Sequence, residues 1–244
     1  MMKVNLKKVS VMLVIVIIGL LLAVGDNYWF STDSHVWLSI GCSLLASAMV
    51  GLLNIFLVDA KVDRDLDKWA LSKIYNTRAD KNKDSDPKLK NLKYRLDGIA
   101  FGLKTFRTGH NSEIEDALRR GVMVRLITMS PNSKFVVQRE KEEKEHTGQI
   151  KNTINQLVEW ADSLNSKKYR GKIYVKGYDC MTLDFYWRMD GEIYFGPYWY
   201  GRSSQQTVTY KFEENGKGFE VYSKYFEELW NDDKLLENLT KECK

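Results

Sequence analysis

The distribution of apolar and charged positions divides this chain into two unlike parts. No charged residue occurs from Val9 to Gly25, and VMLVIVIIGLLLAV within that run is almost continuously apolar. As an α-helix the run covers roughly 26 Å, close to the ~30 Å hydrocarbon core of a bilayer. A second uncharged run, from Val36 to Val58, is long enough to span with some tilt. The competing reading of the first run is a signal peptide, with a basic Met1–Lys8 and small residues at Ala23-Val24-Gly25; the second run following directly argues against it. The pattern therefore predicts a two-helix transmembrane hairpin over residues 1–58, with spans at about 9–25 and 36–58.

Beyond Val58 the periodicity changes. Val58, Val62, Leu66 and Trp69 keep helical spacing, which predicts a connecting helix to about Tyr75. Thr77–Lys90, with NKDSDPK at its centre, reads as a loop or hinge, so residues 59–91 form a connecting helix and hinge. Residues 92–244 alternate. Leu96–Phe106 is a short apolar run. Ser112-x-x-Glu115 has the form of a capping box opening a helix that stops at Gly121. VMVRLITM (122–129) reads as a strand buried on both faces, and Ser133–Asn165 as one long helical stretch with a solvated QREKEEKEH face. KIYVKGY, LDFYWRMDG, EIYFGPYWYG and QQTVTYKFE read as strands, with tight turns at Asp190-Gly191 and Asn215-Gly216. A last helix over Phe219–Trp230 places Tyr222, Phe226 and Trp230 on one face. This order predicts an α/β domain with helices flanking a sheet.

Charge orients the hairpin. Lys3, Lys7 and Lys8 precede the first span, and Lys61, Arg64 and Lys68 follow the second, whereas DNYWFSTDSH between them has no Lys or Arg. The excess of positive charge on the cytoplasmic side predicts both termini inside, with Tyr28, Trp29, Phe30 and Trp37 at the outer interface. Small residues recur every four positions at Ser39, Ser43, Ser47 and Gly51, with Asn54 on nearly the same face, and Gly19 and Ala23 repeat the spacing in the first span. Such stripes let helices approach closely. They serve either packing within the hairpin or association between copies; one hairpin alone encloses no pore.

The overall composition conceals this division. The chain has 244 residues, mean hydropathy −0.39 and formal net charge +5, averages that describe a soluble protein. Residues 59–244 hold 34 basic and 30 acidic residues, a balance that gives no strong nucleic-acid footprint. Cys42, Cys180 and Cys243 have no CxxC spacing, so neither a disulfide framework nor a zinc site is signalled; Cys180 reads as a free buried thiol. No GxxxxGK, HExxH or GxSxG motif is present. No metal or cofactor is expected.

In an open α/β sheet, ligands gather beyond the carboxyl ends of the strands. That rule selects Arg107, His110, Asn111 and Ser112 from one loop, Ser130, Asn132 and Ser133 from the next, and Arg188, Arg202, Ser203, Ser204 and Gln205 from the hairpin region. Arginines, hydroxyls and amides beside helix N-termini suit a phosphate-bearing ligand, and the aromatic YFGPYWYG suits stacking or core packing.

DALRRGVMVRLITMSP, RMDGEIYFGPY and the Tyr222–Trp230 ending, in this order over residues 92–231, resemble a phospholipase D-like domain. The resemblance implies an HxKxxxxD motif with a histidine nucleophile and a phosphate-holding lysine. Here Asp190 matches the aspartate, while Leu183 and Phe185 stand at the histidine and lysine positions. His110 and His146 have no lysine two residues on, so the domain is expected to be degenerate and non-hydrolytic, with Asp190 a structural turn residue.

Two spans joined to a non-catalytic cytoplasmic domain resemble the two-transmembrane effectors of bacterial anti-phage defence, notably those encoded beside retron reverse transcriptases. The resemblance implies a multi-pass inner-membrane protein held silent by a partner, such as a reverse transcriptase with its DNA–RNA product, or awaiting a cyclic nucleotide. On release, copies oligomerise and permeabilise the membrane (abortive infection). The alternatives are a membrane-anchored nucleotide- or protein-binding module without toxicity, and a membrane-tethered phosphodiesterase using another nucleophile.

Overall fold

The computed structural model describes residues 6–26, 35–55, 57, 60–181 and 183–241. The expectations for Lys3, Tyr28, Trp29, Phe30, Val58 and Cys243 lie outside the described residues, as do those for the side chains of Lys7, Lys61 and Arg64. The chain forms two compact units, Met1–Lys68 and Trp69–Lys244.

In the first unit α1 (Leu6–Gly25) and α2 (Val36–Asn54) are long and apolar enough to cross a membrane. Only 11% of each span-length window is buried within the protein. The two helices meet at small residues. A Cβ on Gly41 would lie 2.7 Å from both the Ala23 amide nitrogen and the Gly19 carbonyl oxygen, and one on Gly51 would lie 2.6 Å from Met12 Sδ. The contact thus runs through Gly19, Ala23, Gly41 and Ala48. The four-residue stripe is not one face of this contact: Ser39, Ser43, Ser47 and Asn54 are exposed. The Ser43 and Ser47 hydroxyls donate to the carbonyls of Ser39 and Ser43 at 2.9 and 2.8 Å, so each is satisfied within its own helix. At the end of the hairpin where the chain passes from α1 to α2, His35 Nδ1 lies 2.9 Å from the buried Asp26 carboxylate.

Helix α3 (Ala60–Trp69) stops six residues before the expected Tyr75. Ala70 enters the left-handed region (φ 49°) and turns the chain into β1 (Leu71–Tyr75). The expected hinge is likewise ordered: Thr77 caps α4 (Arg78–Ser85) by accepting from the Asp80 amide, and a 3₁₀ turn follows over Asp86–Asn91. Polar composition concealed this helix because its contacts are made by the stems and heads of Arg78 and Lys81, both buried.

The sheet has eight strands in the order β1-β7-β6-β5-β2-β3-β4-β8. Strands β2 (Arg95–Ile99), β3 (Met123–Met129) and β4 (Ile173–Tyr178) are parallel. The parallel crossovers are α5 (Lys104–Gly109) with α6 (Asn111–Arg120), and α7 (Lys134–Glu143) with α8 (Gln149–Ser166). Strands β5 (Phe185–Met189), β6 (Glu192–Gly196) and β7 (Thr209–Glu213) add an antiparallel meander. Helix α9 (Lys217–Trp230) and β8 (Leu236–Asn238) close the fold. Alternation along each strand feeds two cores: Phe185, Trp187 and Met189 of β5 join one, and Tyr186 the other.

Several local expectations are corrected. Ser112 Oγ donates to Glu113 rather than capping α6, whose N-cap position is His110; the helix does end at Gly121 (φ 99°). The stretch 133–165 is two helices, broken where Lys144 is left-handed (φ 59°), and buried Glu140 caps the second by accepting from the Gly148 and Ile150 amides at 2.8 Å. Asn215-Gly216 joins β7 to α9 instead of turning a hairpin. Cys180 is free but only half-buried.

Candidate ligand site

The parallel strand β2 ends at Ile99, and Ala100–Phe106 leads away from its carboxyl end into α5. Because β5 runs antiparallel to β2, with Tyr186 opposite Ile99, its first residue Phe185 lies at that same sheet end. Between these segments, α4, the α7–α8 connection and Ser203–Gln205 is a cavity of about 300 Å³. Its apolar walls are Phe101, Phe106, Phe185, Trp187 and Tyr198, and its polar ones include Asn82, Gln149, Ser203, Ser204 and Gln205.

Two cations from α4 dominate it. Arg78 is 4% exposed and Lys81 2%. The Arg78 guanidinium lies 3.9 Å above the Phe185 ring and 4.6 Å from that of Tyr198, and its Nη2 donates to Thr207 Oγ1 at 2.9 Å. Its Nε–H is buried without a partner. The Lys81 ammonium stands 5.1–5.5 Å from the rings of Tyr194, Phe185 and Trp187 and donates to Asn82 Oδ1 at 3.1 Å. Neither cation has a carboxylate in ion-pair contact among the described residues. A ring face contributes about 2 kcal/mol to a desolvated cation, whereas burying an ion costs several. Burial accordingly pushes the Lys81 ammonium down to about 7, with Asp86 opposing and Arg78 adding to the shift, and it lowers Arg78 as well.

The acids around the cavity are mostly engaged. Asp86 lies 3.1 Å from His110 Nε2. Glu143 pairs with Arg139, whose guanidinium faces Phe101 and Tyr198. Exposed Glu145 and Lys104 complete the charged lining.

Of the residues expected from sequence, His110, Ser203, Ser204 and Gln205 line this cavity. The others are held elsewhere. Arg107 donates to Gln156 at 2.6 Å, and Asn111 accepts from Trp160 Nε1 at 2.6 Å. Ser112 is turned to Glu113. Ser130 donates to Glu237, Ser133 caps α7, and Asn132 accepts from Lys151. Arg188 donates to the Asp190 carbonyl, and Arg202 lies over the Trp199 ring. Within YFGPYWYG, Tyr194 is core and Tyr198 lines the cavity, while Trp199 and Tyr200 are exposed. Sequence reasoning missed Arg78 and Lys81. Their spacing of three, which puts both on one face of a helix, was the available signal.

Nothing at this site supplies an HxK pair. Leu183 is partly buried against the core and the Phe185 ring lies beneath Arg78. Asp190 accepts from the amides of Lys93, Tyr94 and Arg95 at 2.8–2.9 Å, a structural role that pins the β5–β6 turn to the start of β2.

No family model matches the chain, and no curated protein matches it in sequence. Solved structures similar to it include the following three. TrmBL2, an archaeal chromatin protein whose structure shows a mode of DNA binding, is 11% identical, with 78% of this chain and 68% of that one covered and a TM-score of 0.42. Nuc from Salmonella typhimurium, a phospholipase D family member, is 12% identical over 64% of this chain and 88% of its own, with a TM-score of 0.39. NucT from Helicobacter pylori is 10% identical over 65% and 94%, also at 0.39. The chain has two apolar N-terminal helices followed by a mixed α/β sheet unit.

Proposed function

We propose that this chain is a multi-pass effector of bacterial anti-phage defence. In this reading the hairpin spans the inner membrane with both termini cytoplasmic, and the α/β unit is a non-hydrolytic sensor. Triggering by a ligand, or release from a partner such as a reverse transcriptase with its DNA–RNA product, lets copies assemble and permeabilise the bilayer. The observation that carries the reading is the exposure of α1 and α2: apolar side chains such as Val14, Ile17, Leu21, Val50 and Leu53 are about half exposed, and a soluble protein does not leave two such helices uncovered. The outward Ser39–Ser43–Ser47 face supports assembly, since Gly41 and Gly19 already serve the contact within the hairpin.

The test is expression in a bacterial host with a potential-sensitive dye. The chain should depolarise cells. Ser43→Leu with Ser47→Leu, which alters only the outward face, should abolish this while leaving the protein in the membrane fraction. Full depolarisation by that double variant removes the assembly step, and no depolarisation by the wild type removes the effector reading.

The cavity favours a second reading, a membrane-anchored binding module without toxicity, which predicts ligand binding with no growth defect. The remaining alternative is a phosphodiesterase with another nucleophile, for which the available histidine on the cavity lining is His110, 3.1 Å from Asp86; release of product from a chromogenic phosphodiester would favour it.

A further inference from the structure

The α4 cations are an unusual expense unless something compensates them. Arg78 and Lys81 are each more than nine-tenths buried, line the cavity, and have aromatic rings and neutral oxygens as partners in place of carboxylates. Arg78 Nε–H has no acceptor at all. Elsewhere in the same unit buried cations are matched by acids: Arg125 meets Asp97 at 2.7 Å, and Lys211 meets Glu192 at 2.9 Å. The α4 pair is therefore an exception to how this fold treats charge. An acceptor that enters from solvent supplies what the chain omits.

Size and lining restrict that acceptor. A water's share of liquid volume is about 30 Å³, so a cavity of about 300 Å³ is far larger than a bare oxyanion needs. The surplus is bounded by the Phe101 and Tyr198 rings, 4.5 Å apart between centroids, and by the amide and hydroxyl groups of Asn82, Ser203, Ser204 and Gln205. Flat faces beside donors and acceptors suit a heteroaromatic ring. Asp86, Glu143 and Glu145 on the same lining oppose a chain of phosphates, which selects one.

We propose that the cavity binds a nucleotide-class ligand bearing a single phosphate, its phosphate held by Arg78 and Lys81 and its ring lodged against Phe101 and Tyr198. This rests on the reading of the α/β unit as a non-hydrolytic sensor and names the chemistry it senses. Binding charges Lys81 fully, because the phosphate reverses the burial penalty on its ammonium. The groups facing that ammonium are Arg78 and Asn82 of α4, Asp86 of the 3₁₀ turn, Phe185 and Trp187 of β5 and Tyr194 of β6. Asp86 is in turn engaged by His110.

The experiment is titration calorimetry on the full chain in detergent micelles, with AMP, inorganic phosphate, adenosine, ATP and glycerol 3-phosphate as probes. AMP should bind at least tenfold more tightly than each of the others. Lys81→Met and Arg78→Met should each weaken AMP at least tenfold, with Lys81→Arg closer to wild type. At pH 8, where AMP is already a dianion, repeating the titration in buffers of different ionisation enthalpy should show uptake of about one proton by wild type and none by Lys81→Met. The wild-type proton count does not depend on whether a variant folds. Adenosine binding as tightly as AMP, no proton uptake, or no AMP binding overturns the proposal. Glycerol 3-phosphate equal to AMP overturns the nucleotide class and assigns the site to a lipid headgroup. Absent AMP binding with intact depolarisation refutes this inference alone, whereas AMP binding without depolarisation refutes the effector reading alone.

Discussion

Replacing Asp190 separates a structural aspartate from a catalytic one. Its two carboxylate oxygens accept three backbone amides: Oδ1 takes Tyr94 and Arg95 at 2.9 Å, and Oδ2 takes Lys93 at 2.8 Å. Its own amide donates to the Arg95 carbonyl at 3.1 Å, and its backbone is left-handed at φ 49°. Hydrogen bonds to a charged group contribute roughly 1.5–3 kcal/mol each when sheltered. Solvent at this half-exposed turn reduces that, so the three together are set at about 2–3 kcal/mol. Alanine also carries a left-handed penalty of about 1 kcal/mol that glycine does not. Asp190→Ala should therefore lose about 3–4 kcal/mol, Asp190→Gly about 2–3, and Asp190→Asn about 1, since asparagine keeps the Oδ1 acceptor and accepts φ > 0. For a unit of this size each kcal/mol lowers the thermal midpoint by roughly 2–4 °C, which places Asp190→Ala roughly 6–16 °C below wild type. The assay is thermal unfolding of the purified full chain, followed by near-ultraviolet circular dichroism of the sheet aromatics. Wild type above Asn above Gly above Ala is the expected order. Midpoints within about 1 °C of one another would refute the structural role.

Further perturbations test other parts of the same account. Gly98→Ala in β2 would set a Cβ 2.5 Å from the Trp187 ring and 3.1 Å from Leu126 Cδ2, so overpacking should cost about 1–3 kcal/mol in urea unfolding. Phe185→Lys restores the residue implied by the phospholipase D-like motif, yet it sets a third cation against Arg78 and Lys81; it should destabilise by at least about 3 kcal/mol and release no product from a chromogenic phosphodiester. The Arg125 guanidinium holds the Glu227 carboxyl below the usual carboxylate range, with Arg95 and Arg188 assisting. A depressed carboxyl contributes stability that is present above the ordinary range and lost as pH falls through its folded value, so acid unfolding of Glu227→Gln should show a shallower acid limb than wild type.

The elements that repeated a clear period were legible. VMVRLITM became β3, six of whose seven residues are buried, and the turn at Asp190-Gly191 and the helix end at Gly121 stand where their residue types placed them. The failures share a cause: a local pattern whose partner lies far along the chain. Strand β1 pairs with β7, more than a hundred residues away, and LSKIY after a helical repeat carries no sign of that partner. Leu71 and Tyr75 face the sheet unit while Ile74 is exposed, so the strand reads in sequence as a fraying helix end. The Ser39–Ser43–Ser47 stripe shows a different limit: the pattern alone left open whether it serves packing within the hairpin or association between copies. Its period is helical and regular, but a helix has several such stripes, and Gly41, without a side chain, allows the closer approach to Ala23.

The site was half legible for a more instructive reason. The rule that ligands gather at the carboxyl ends of parallel strands depends on strand direction alone, and of the loop residues it selected after β2, Arg107, His110, Asn111 and Ser112, it is His110 that lines the cavity. It could not locate the cations, since α4 precedes every parallel strand and its sequence, RADKNKDS, is as polar as a solvated loop. What makes Arg78 and Lys81 part of a site is the company of Phe185, Trp187, Tyr194 and Tyr198, and each ring belongs to a segment more than a hundred residues later. The rings and cations also explain each other. A lysine at 185 would repel Arg78, and a carboxylate there would neutralise it. Only an apolar flat residue leaves a buried guanidinium both accommodated and unneutralised. Phe185 is thus the residue that keeps positive charge available at the sheet end. The AMP titration and the Phe185→Lys variant therefore test the same premise, a cation pair left without a carboxylate, from opposite sides.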